Sequence, residues 1–274
     1  LGVVDLRQFY DHCTRDVRRL IDRLKKEGIN GLVLDLRRNG GGILPEAIAL
    51  GGLFIESGPV VQVKSINGKT RVFPDPDKSI TYDGPLIVAV SQLSASASEI
   101  VAAALQDYGR AVIVGGKTTH GKGTVQQLVP INRNVFGKSP DLGTLKFTVS
   151  TFYRIDGSST QRDGVLSDIV LPSVFDHLGI GEASLPRALK VEPIPAANYE
   201  KQNKSKPFLD KLTKHSVQRT KNDQDYIYIS EDITRAKKQV ADKSLSLNEV
   251  ERRKERSENK ERTRATGQTY KKQE

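Results

Sequence analysis

A serine-rich stretch, SASAS at residues 94–98, lies between a run of apolar residues and a run of helix formers. Ser96-Ala97-Ser98-Glu99 fits the S-x-x-E capping box that begins many helices, which is one interpretation of the stretch. The other interpretation is a nucleophile. Free N–H groups and the helix dipole favour negative charge at a helix N-terminus, so an oxyanion formed beside Ser96 could accept a hydrogen bond from the Ala97 N–H.

A glycine-rich turn offers a second donor for such an oxyanion. The residues NGGG at 39–42 follow the apolar segment that ends at Asp35. Glycines allow positive φ and close backbone approach, so Gly41 or Gly42 could bring a bare amide near the serine. An ordinary tight turn is the alternative for these glycines.

A nucleophilic serine also needs a base, and the segment GGKTTHGKGTVQQ at 115–127 contains two candidates. His120 would complete a Ser96–His120–Asp107 triad of familiar residue types. Lys122 would form a serine–lysine dyad instead. A solvated lysine has a pKa near ~10.4, so a lysine serves as a base only where burial lowers its pKa by about 2–3 units.

The neighbours of Lys122 could position its amine. In an extended segment Lys122, Thr124 and Gln126 point to one side, and the carbonyl oxygen of Gln126 could then accept from the amine. A lysine in an ordinary surface loop is the alternative. Asp107 lies in the last turn of the predicted helix, where the dipole disfavours an anion, so we expect it to have a partner. Arg110 is the nearest candidate, and we interpret Asp107 as an organiser of the site.

The elements that must position these residues follow an α/β pattern. Val17, Leu20, Ile21 and Leu24 form one apolar stripe on a helix that Gly28 ends. A strand, a Gly- or Ser-rich turn and a helix then follow each other twice, which predicts helices packed on a sheet with active groups in the loops at strand ends. The predicted strands lie in 31–38, in 59–73 around an Asn67-Gly68 hairpin turn, and in 84–90, 110–116, 124–129 and 144–155; a second helix is predicted in 44–55.

The chain changes character beyond Pro172. Segments 230–240 and 244–265 look helical, and the second has a Ser246…Glu249 capping box. Apolar residues almost vanish from Glu251 onward, which is typical of a solvated helix or a frayed tail. We therefore predict a core at 1–172 and a charged, mostly helical C-terminal region at 173–274.

Composition excludes several classes of protein. The chain of 274 residues has a net charge of +10, and its single cysteine, Cys13, cannot form an internal disulfide. No run of 18 apolar residues predicts a membrane span. The chain starts with neither a methionine nor a signal peptide, so we expect a piece of a longer or processed protein. Basic residues in the tail alternate with glutamates and no aromatic platform accompanies them, so no nucleic-acid partner is expected.

Nucleotide hydrolysis is a second excluded function. The residues GKTTHGKGT at 116–124 nearly match a phosphate-binding loop. The residue after the lysine must carry a hydroxyl for Mg²⁺, and here it is Gly123. A strand-like segment also follows where a helix should begin. We expect no cofactor and no metal.

Taken together, these segments resemble the tail-specific proteases, also called C-terminal processing peptidases. The resemblance rests on five motifs in order over nearly all of 1–172: LVLDLRRNGGG, EAIALGGLFI followed by GPVVQV, SASASEIVAAALQDYGRA, GKGTVQQ and FYRIDGSSTQRDGV. It implies a Clp-protease/crotonase-like core with a serine–lysine dyad that cuts peptide bonds. Carried over residue by residue, the resemblance makes Ser96 the nucleophile and Lys122 the base, supported by Gln126. It makes Asp107 the acid and the Ala97 and Gly41 amides the oxyanion donors.

The resemblance further implies protein or peptide substrates chosen by their C-terminal tails, an adaptor protein among the candidate partners, and a periplasmic or otherwise exported bacterial protein. Two features depart from the family pattern. His120 stands where an apolar residue is expected, in a loop that is one residue longer than usual. The family's PDZ domain, which captures the substrate's C-terminus, is not recognised in this chain. A non-catalytic peptide-binding or scaffolding fragment is therefore the alternative function.

Overall fold

A computed structural model describes residues 1–131, 142–242, 244 and 246–271. The strands in these residues are β1 (Gly2–Asp5), β2 (Leu32–Asp35), β3 (Pro59–Ser65), β4 (Thr70–Pro74), β5 (Leu86–Val90), β6 (Val112–Gly115), β7 (Thr124–Pro130), β8 (Thr144–Tyr153) and β9 (Ile169–Val170). The helices are α1 (Cys13–Lys26), α2 (Leu44–Gly52), α3 (Ala97–Asp107), α4 (Leu209–Asn222), α5 (Gln224–Asp242) and α6 (Glu249–Lys271). The α/β fold class and the helical C-terminal part are as the sequence predicts.

Five strands form a parallel sheet in the order β1-β2-β5-β6-β9. Its strands are short apolar runs, as expected for strands that are covered on both faces. The register pairs Asp5 with Asp35, and Val90 with Gly115. The carboxyl ends of parallel strands lie at one edge of the sheet, so the loops that follow β2 and β5 leave from neighbouring positions. These loops carry the NGGG turn and the SASAS stretch.

Four strands form a second, antiparallel sheet in the order β4-β3-β8-β7. The predicted hairpin at Asn67-Gly68 is confirmed: Gly68 has a φ of +83°, and the Ser65 N–H donates to the Lys69 carbonyl at 3.0 Å. The register between β7 and β8 shifts between Val125 and Gln126. This sheet brings β7, which begins two residues after Lys122, toward the start of α3.

The predicted stripe on α1 is correct at three of its four positions. Val17 and Ile21 are buried, and Leu24 packs partly against the core. The prediction is wrong for Leu20, whose side chain is 43% exposed. The buried residues of this helix are Cys13, Val17 and Ile21. The apolar stripe is therefore narrower than predicted and starts one turn earlier, at Cys13.

Cys13 is fully buried at the start of α1. Its thiol donates to the Glu46 carboxylate at 3.5 Å. Burial, with the nearby charge of Glu46, raises the pKa of the Cys13 thiol to about 12. The cysteine is therefore a packing residue of the core.

The C-terminal region starts with little regular structure and ends in α4, α5 and α6. Its last described helix begins where Asn248 Oδ1 accepts from the Val250 N–H at 2.9 Å. The predicted cap at Ser246 is therefore wrong. Asn248 directly precedes the helix, whereas the Ser246 hydroxyl, two residues earlier, accepts from the Asn248 N–H at 3.2 Å. In the parts of the chain that the structure covers, no helix has the length and apolar character needed to cross a bilayer.

Candidate active site

Ser96 has a backbone conformation that serine rarely adopts. It occupies the position before α3, with φ +57° and ψ −111°. Glycine adopts this region readily, whereas for a residue with a Cβ it costs on the order of 1–3 kcal/mol, so the surroundings must hold it. Backbone strain of this kind clusters at active sites, which makes Ser96 a candidate nucleophile.

The three serines of SASAS have different environments. Ser94 is fully buried and its hydroxyl donates to the Leu36 carbonyl at 2.7 Å. Ser98 is also fully buried and donates to the Asn39 carbonyl at 2.8 Å. Ser96 alone among the three is partly exposed and lines a pocket. The outer two serines tie the loop to the end of β2, and the middle one is accessible.

The pocket in front of Ser96 has a volume of about 270 Å³. It brings together most of the predicted site residues: Ser96, Ala97, Lys122 and Gln126. Its remaining walls are largely apolar and include Leu44, Ile100, Val125, Leu128 and Phe152. The exposed Gln126 side chain enters from β7, just after the register shift with β8.

Glu99 connects the two halves of this site, a role that goes beyond the capping box predicted from sequence. It is fully buried in the first turn of α3. Its Oε2 accepts from the N–H of Ser96 at 2.8 Å and from the N–H of Lys122 at 3.0 Å. Its Oε1 accepts from the Thr119 hydroxyl at 2.6 Å and from the Gly121 N–H at 2.7 Å. The carboxylate therefore fixes the serine turn and the lysine loop to each other.

The chemistry of Glu99 follows from these contacts. Burial raises the pKa of the Glu99 carboxyl to about 7, although its hydrogen bonds act in the opposite direction. A carboxylate accepts at both oxygens, whereas a protonated carboxyl must give up one of these acceptor positions to its own O–H. Ionised Glu99 is thus the form that matches four surrounding donors.

Gly41 lies directly against the serine turn. A Cβ on Gly41 would come within 2.7 Å of the Ala95 carbonyl oxygen and 2.9 Å of the Ser96 Cβ, and its φ is +102°, so glycine is required there. Its predicted role as the second oxyanion donor does not match this geometry, because the Gly41 N–H donates to Asn39 Oδ1 at 2.9 Å. Gly42, the alternative that the sequence leaves open, lines the pocket.

Asn39 holds this glycine turn. Its side chain is fully buried, and its Nδ2 donates to the Leu6 carbonyl at 2.9 Å. Its own carbonyl accepts from the Ala95 N–H and from the Ser98 hydroxyl. The turn after β2 and the turn before α3 are therefore one hydrogen-bonded unit.

Asp107 lies away from the pocket, at the other end of α3. A helix of this length spans about 16 Å, which is too far for an aspartate that must contact a base beside Ser96. The predicted partner Arg110 is wrong: Asp107 forms a two-pronged ion pair with Arg154, with Arg154 Nε at 3.2 Å. Asp107 is nearly buried, and burial raises the pKa of its carboxyl while Arg154 acts against that rise.

Arg110 is instead bound by main-chain oxygens. It is 2% exposed, and its guanidinium donates to the carbonyls of Phe54, Tyr82 and Gly84 at 2.8–2.9 Å. Gly109, with a φ of +62°, turns the chain between α3 and Arg110, so that the arginine points back into the fold. Nearness in sequence therefore does not bring Arg110 to Asp107.

His120 does not face the serine pocket. Its backbone N–H donates to the Ser94 carbonyl at 2.9 Å. Its ring Nε2 lies 3.9 Å from Glu182 Oε2 in the C-terminal region. The residues of a Ser96–His120–Asp107 triad are thus not brought together.

Comparison with known proteins identifies the fold as that of a peptidase. Residues 1–171 match the model of peptidase family S41, and residues 175–274 match the C-terminal domain of tail specific protease. The chain belongs to peptidase family S41.

Individual relatives agree with this assignment. The chain is 39% identical over 252 residues to the tail-specific protease of Haemophilus influenzae, covering 90% of this chain and 36% of that protein. It is 34% identical over 167 residues to the carboxy-terminal processing protease CtpA of Bacillus subtilis, covering 60% of this chain and 34% of that protein. The chain thus spans about a third of the length of these two relatives.

A solved structure with the same fold is that of the photosystem II D1 C-terminal processing protease. Its chain superposes with a TM-score of 0.55 at 30% identity, over 68% of this chain and 48% of that one. The fold expected from the resemblance is therefore confirmed.

Proposed function

We propose that this chain carries the catalytic centre of a serine endopeptidase that works through a Ser96–Lys122 dyad. One observation supports the assignment above others: Ser96 and Lys122 line one pocket, and their N–H groups donate to the same oxygen of Glu99. The strained backbone of Ser96 adds to it, because strain at an accessible serine has no use in a simple helix cap.

The reaction begins with transfer of the Ser96 hydroxyl proton to the neutral amine of Lys122 as Oγ attacks the scissile carbonyl carbon. The negative charge that develops on the carbonyl oxygen accepts from the Ala97 N–H, at the positive end of α3. Gly42 supplies the second N–H, or Gly41 does so after releasing Asn39. Lys122 then gives its proton to the leaving amine, which frees the new N-terminus.

The acyl-enzyme is hydrolysed by the same groups. Lys122 takes a proton from water as the water oxygen attacks the ester carbonyl, and returns a proton to Ser96 Oγ as the ester C–O bond breaks. Gln126 orients the amine from β7. Asp107 acts outside this chemistry, as part of the ion pair that holds the end of α3.

The substrate is an unfolded segment of a protein. The apolar walls of the pocket suit an apolar side chain next to the scissile bond. The names of the relatives support selection by C-terminal tails. We propose residues 1–172 as the catalytic core and 173–274 as a C-terminal region, in a protein exported to the periplasm that works with an adaptor.

A single-turnover assay tests the function. An unfolded protein substrate is mixed with an excess of this chain or of its Ser96→Ala variant, and fragments are identified by mass. We expect cleavage by the wild type and none by the variant. If the wild type binds the substrate but releases no fragments, the chain is a non-catalytic peptide-binding fragment.

A further inference from the structure

Glu182 of the C-terminal region reaches the loop that carries Lys122. It belongs to a short 3-10 turn (Glu182–Ser184), outside the part of the chain that matches the peptidase S41 model. Its N–H donates to the His120 carbonyl at 2.7 Å, and its carboxylate is 17% exposed. The turn is thus docked against the loop by a main-chain hydrogen bond as well as by a side chain.

Gln161 connects the Glu182 carboxylate to the base. Gln161 is 5% exposed, its Nε2 donates to Glu182 Oε1 at 3.0 Å, and its Oε1 accepts from the Gly123 N–H at 2.8 Å. The Gly123 N–H belongs to the peptide bond whose carbonyl is that of Lys122. Glu182, Gln161 and the peptide after Lys122 therefore form one continuous chain of hydrogen bonds.

The direction of this chain is fixed by its two ends. A backbone N–H only donates and a carboxylate only accepts, so the Gln161 amide has one orientation that satisfies both. Without the Glu182 carboxylate, the buried Nε2 of Gln161 would lose its acceptor, and the amide would then be anchored at its Oε1 alone.

Gln161 and Gly123 are also packed so closely that Gln161 cannot shift without moving the backbone of Gly123. A Cβ on Gly123 would lie 2.8 Å from the Cβ and 2.8 Å from the N of Gln161. The peptide before Lys122 is held by Glu99, and the peptide after it by Gln161. A shift of Gln161 therefore transmits to the position of Lys122 relative to Ser96.

We propose that Glu182 is a positioning residue for the general base, and that docking of the C-terminal region through Glu182 and Gln161 sets the activity of the dyad. This proposal rests on the function proposed above. It makes the C-terminal region a part of the scaffold of the active site.

The test is a cycle of Glu182→Ala, Gln161→Ala and the double variant in the 274-residue chain, with Glu200→Ala as a matched change of an exposed carboxylate in the same region. We expect Glu182→Ala to lower kcat on an unfolded quenched-fluorescent substrate about tenfold or more, with KM within about twofold, because the base is misplaced and the binding surface is not.

Glu182→Gln keeps an acceptor for Gln161 and should retain most of kcat. The double variant should lose no more than Gln161→Ala alone, since both residues act in one chain. Glu200→Ala should be unchanged.

Hydrogen exchange provides a readout that needs no catalysis. In Glu182→Ala, the amides of the 119–125 segment should exchange faster than in wild type, and Glu182→Gln should restore protection. Unchanged protection, or kcat losses that add in the double variant, would overturn the proposal. If Glu182→Ala does not fold, Glu182→Asp replaces it: the shorter side chain withdraws the carboxylate from Gln161, and wild-type kcat and protection in that variant would overturn the proposal equally.

The outcomes separate this proposal from the proposed function. If wild type and Ser96→Ala are both inactive while Glu182→Ala still loosens the 119–125 segment, the dyad function fails and the coupling stands. If wild type is active and Glu182→Ala matches it in kcat and exchange, the coupling fails and the function stands.

Discussion

Ser96 and Lys122 donate their backbone N–H groups to the same carboxylate oxygen, at 2.8 and 3.0 Å. A single atom of Glu99 thus sets the spacing between a strained helix start and a loop 26 positions further along the chain. A shared acceptor leaves neither segment free to shift without the other, which is the requirement for a nucleophile and base that must meet within hydrogen-bond reach.

The first prediction concerns the base. Lys122→Ala should abolish cleavage, because it removes the amine from the serine pocket. His120→Ala should retain most activity, because His120 faces Glu182 and lies outside that pocket. Turnover of both variants on one unfolded substrate checks this. An inactive histidine variant beside an active lysine variant would replace the dyad with a histidine mechanism.

The second prediction concerns the neighbouring serines. Ser96→Ala should be inactive, whereas Ser94→Ala and Ser98→Ala should keep the nucleophile. Each of the latter removes a hydroxyl that donates to a buried carbonyl, so we expect about 1–2 kcal/mol lower unfolding free energy. Denaturant unfolding and a cleavage assay on the same samples distinguish the two effects. Activity that survives Ser96→Ala but not Ser98→Ala would move the nucleophile.

The third prediction follows from the raised pKa of Glu99, about 7 against an ordinary value of 4.5. Between these two values the native state holds a proton that the unfolded state has released, so ionising Glu99 costs folding free energy as pH rises. The cost is absent below pH 4.5 and complete above pH 7, where it reaches about 3 kcal/mol. Glu99→Gln lacks this titration.

Urea unfolding at pH 5 and pH 8 measures this difference. The unfolding free energy of wild type relative to Glu99→Gln should fall from pH 5 to pH 8. A relative stability that rises with pH would mean that the four donors hold the pKa of Glu99 low.

The fourth prediction uses two adjacent glycines. Gly41→Ala should lower kcat by about tenfold or more and reduce stability, because its Cβ would collide with Ala95 and Ser96 and its φ of +102° disfavours alanine. Gly40→Ala is the matched control, since no atom lies within 4 Å of an added Cβ. Equal activity of the two variants would show that the glycine turn can move away from Ser96 without lowering kcat.

The fifth prediction separates stability from chemistry at Asp107. Asp107→Ala leaves Arg154 buried without its carboxylate, so we expect a loss of about 3–5 kcal/mol in unfolding free energy. Activity per folded molecule should change little, because Asp107 lies at the far end of α3. A variant that stays folded but loses kcat would contradict this and return Asp107 to the reaction.

Local patterns in the sequence were sufficient to place Ser96 and Ala97 at the start of a helix and the lysine loop just before a strand. An apolar strand, a turn of small residues and a helix start are features of a few consecutive positions. The α/β class follows from the same patterns. Strand β9 could not be found this way, since a run of two residues carries too little periodicity, and β1 was not predicted.

Contacts between distant segments were beyond sequence reasoning. The four donors of Glu99 include Thr119, Gly121 and Lys122, and only tertiary structure brings that loop over the start of α3. Asp107 shows that nearness in sequence can also mislead about which residues are in contact. Arg110 is three positions away but points back into the fold, whereas Arg154 arrives from the end of β8.

The buried thiol of Cys13 has a practical consequence for labelling. With its pKa raised to about 12 and its sulfur inaccessible, Cys13 exposes almost no thiolate at pH 8 to a maleimide or an iodoacetamide. A cysteine introduced at an exposed site such as Glu200 would then be the reactive thiol of the native chain. Fluorophores or spin labels could be attached there with the native cysteine in place, and reaction of Cys13 itself would report unfolding of the core around α1.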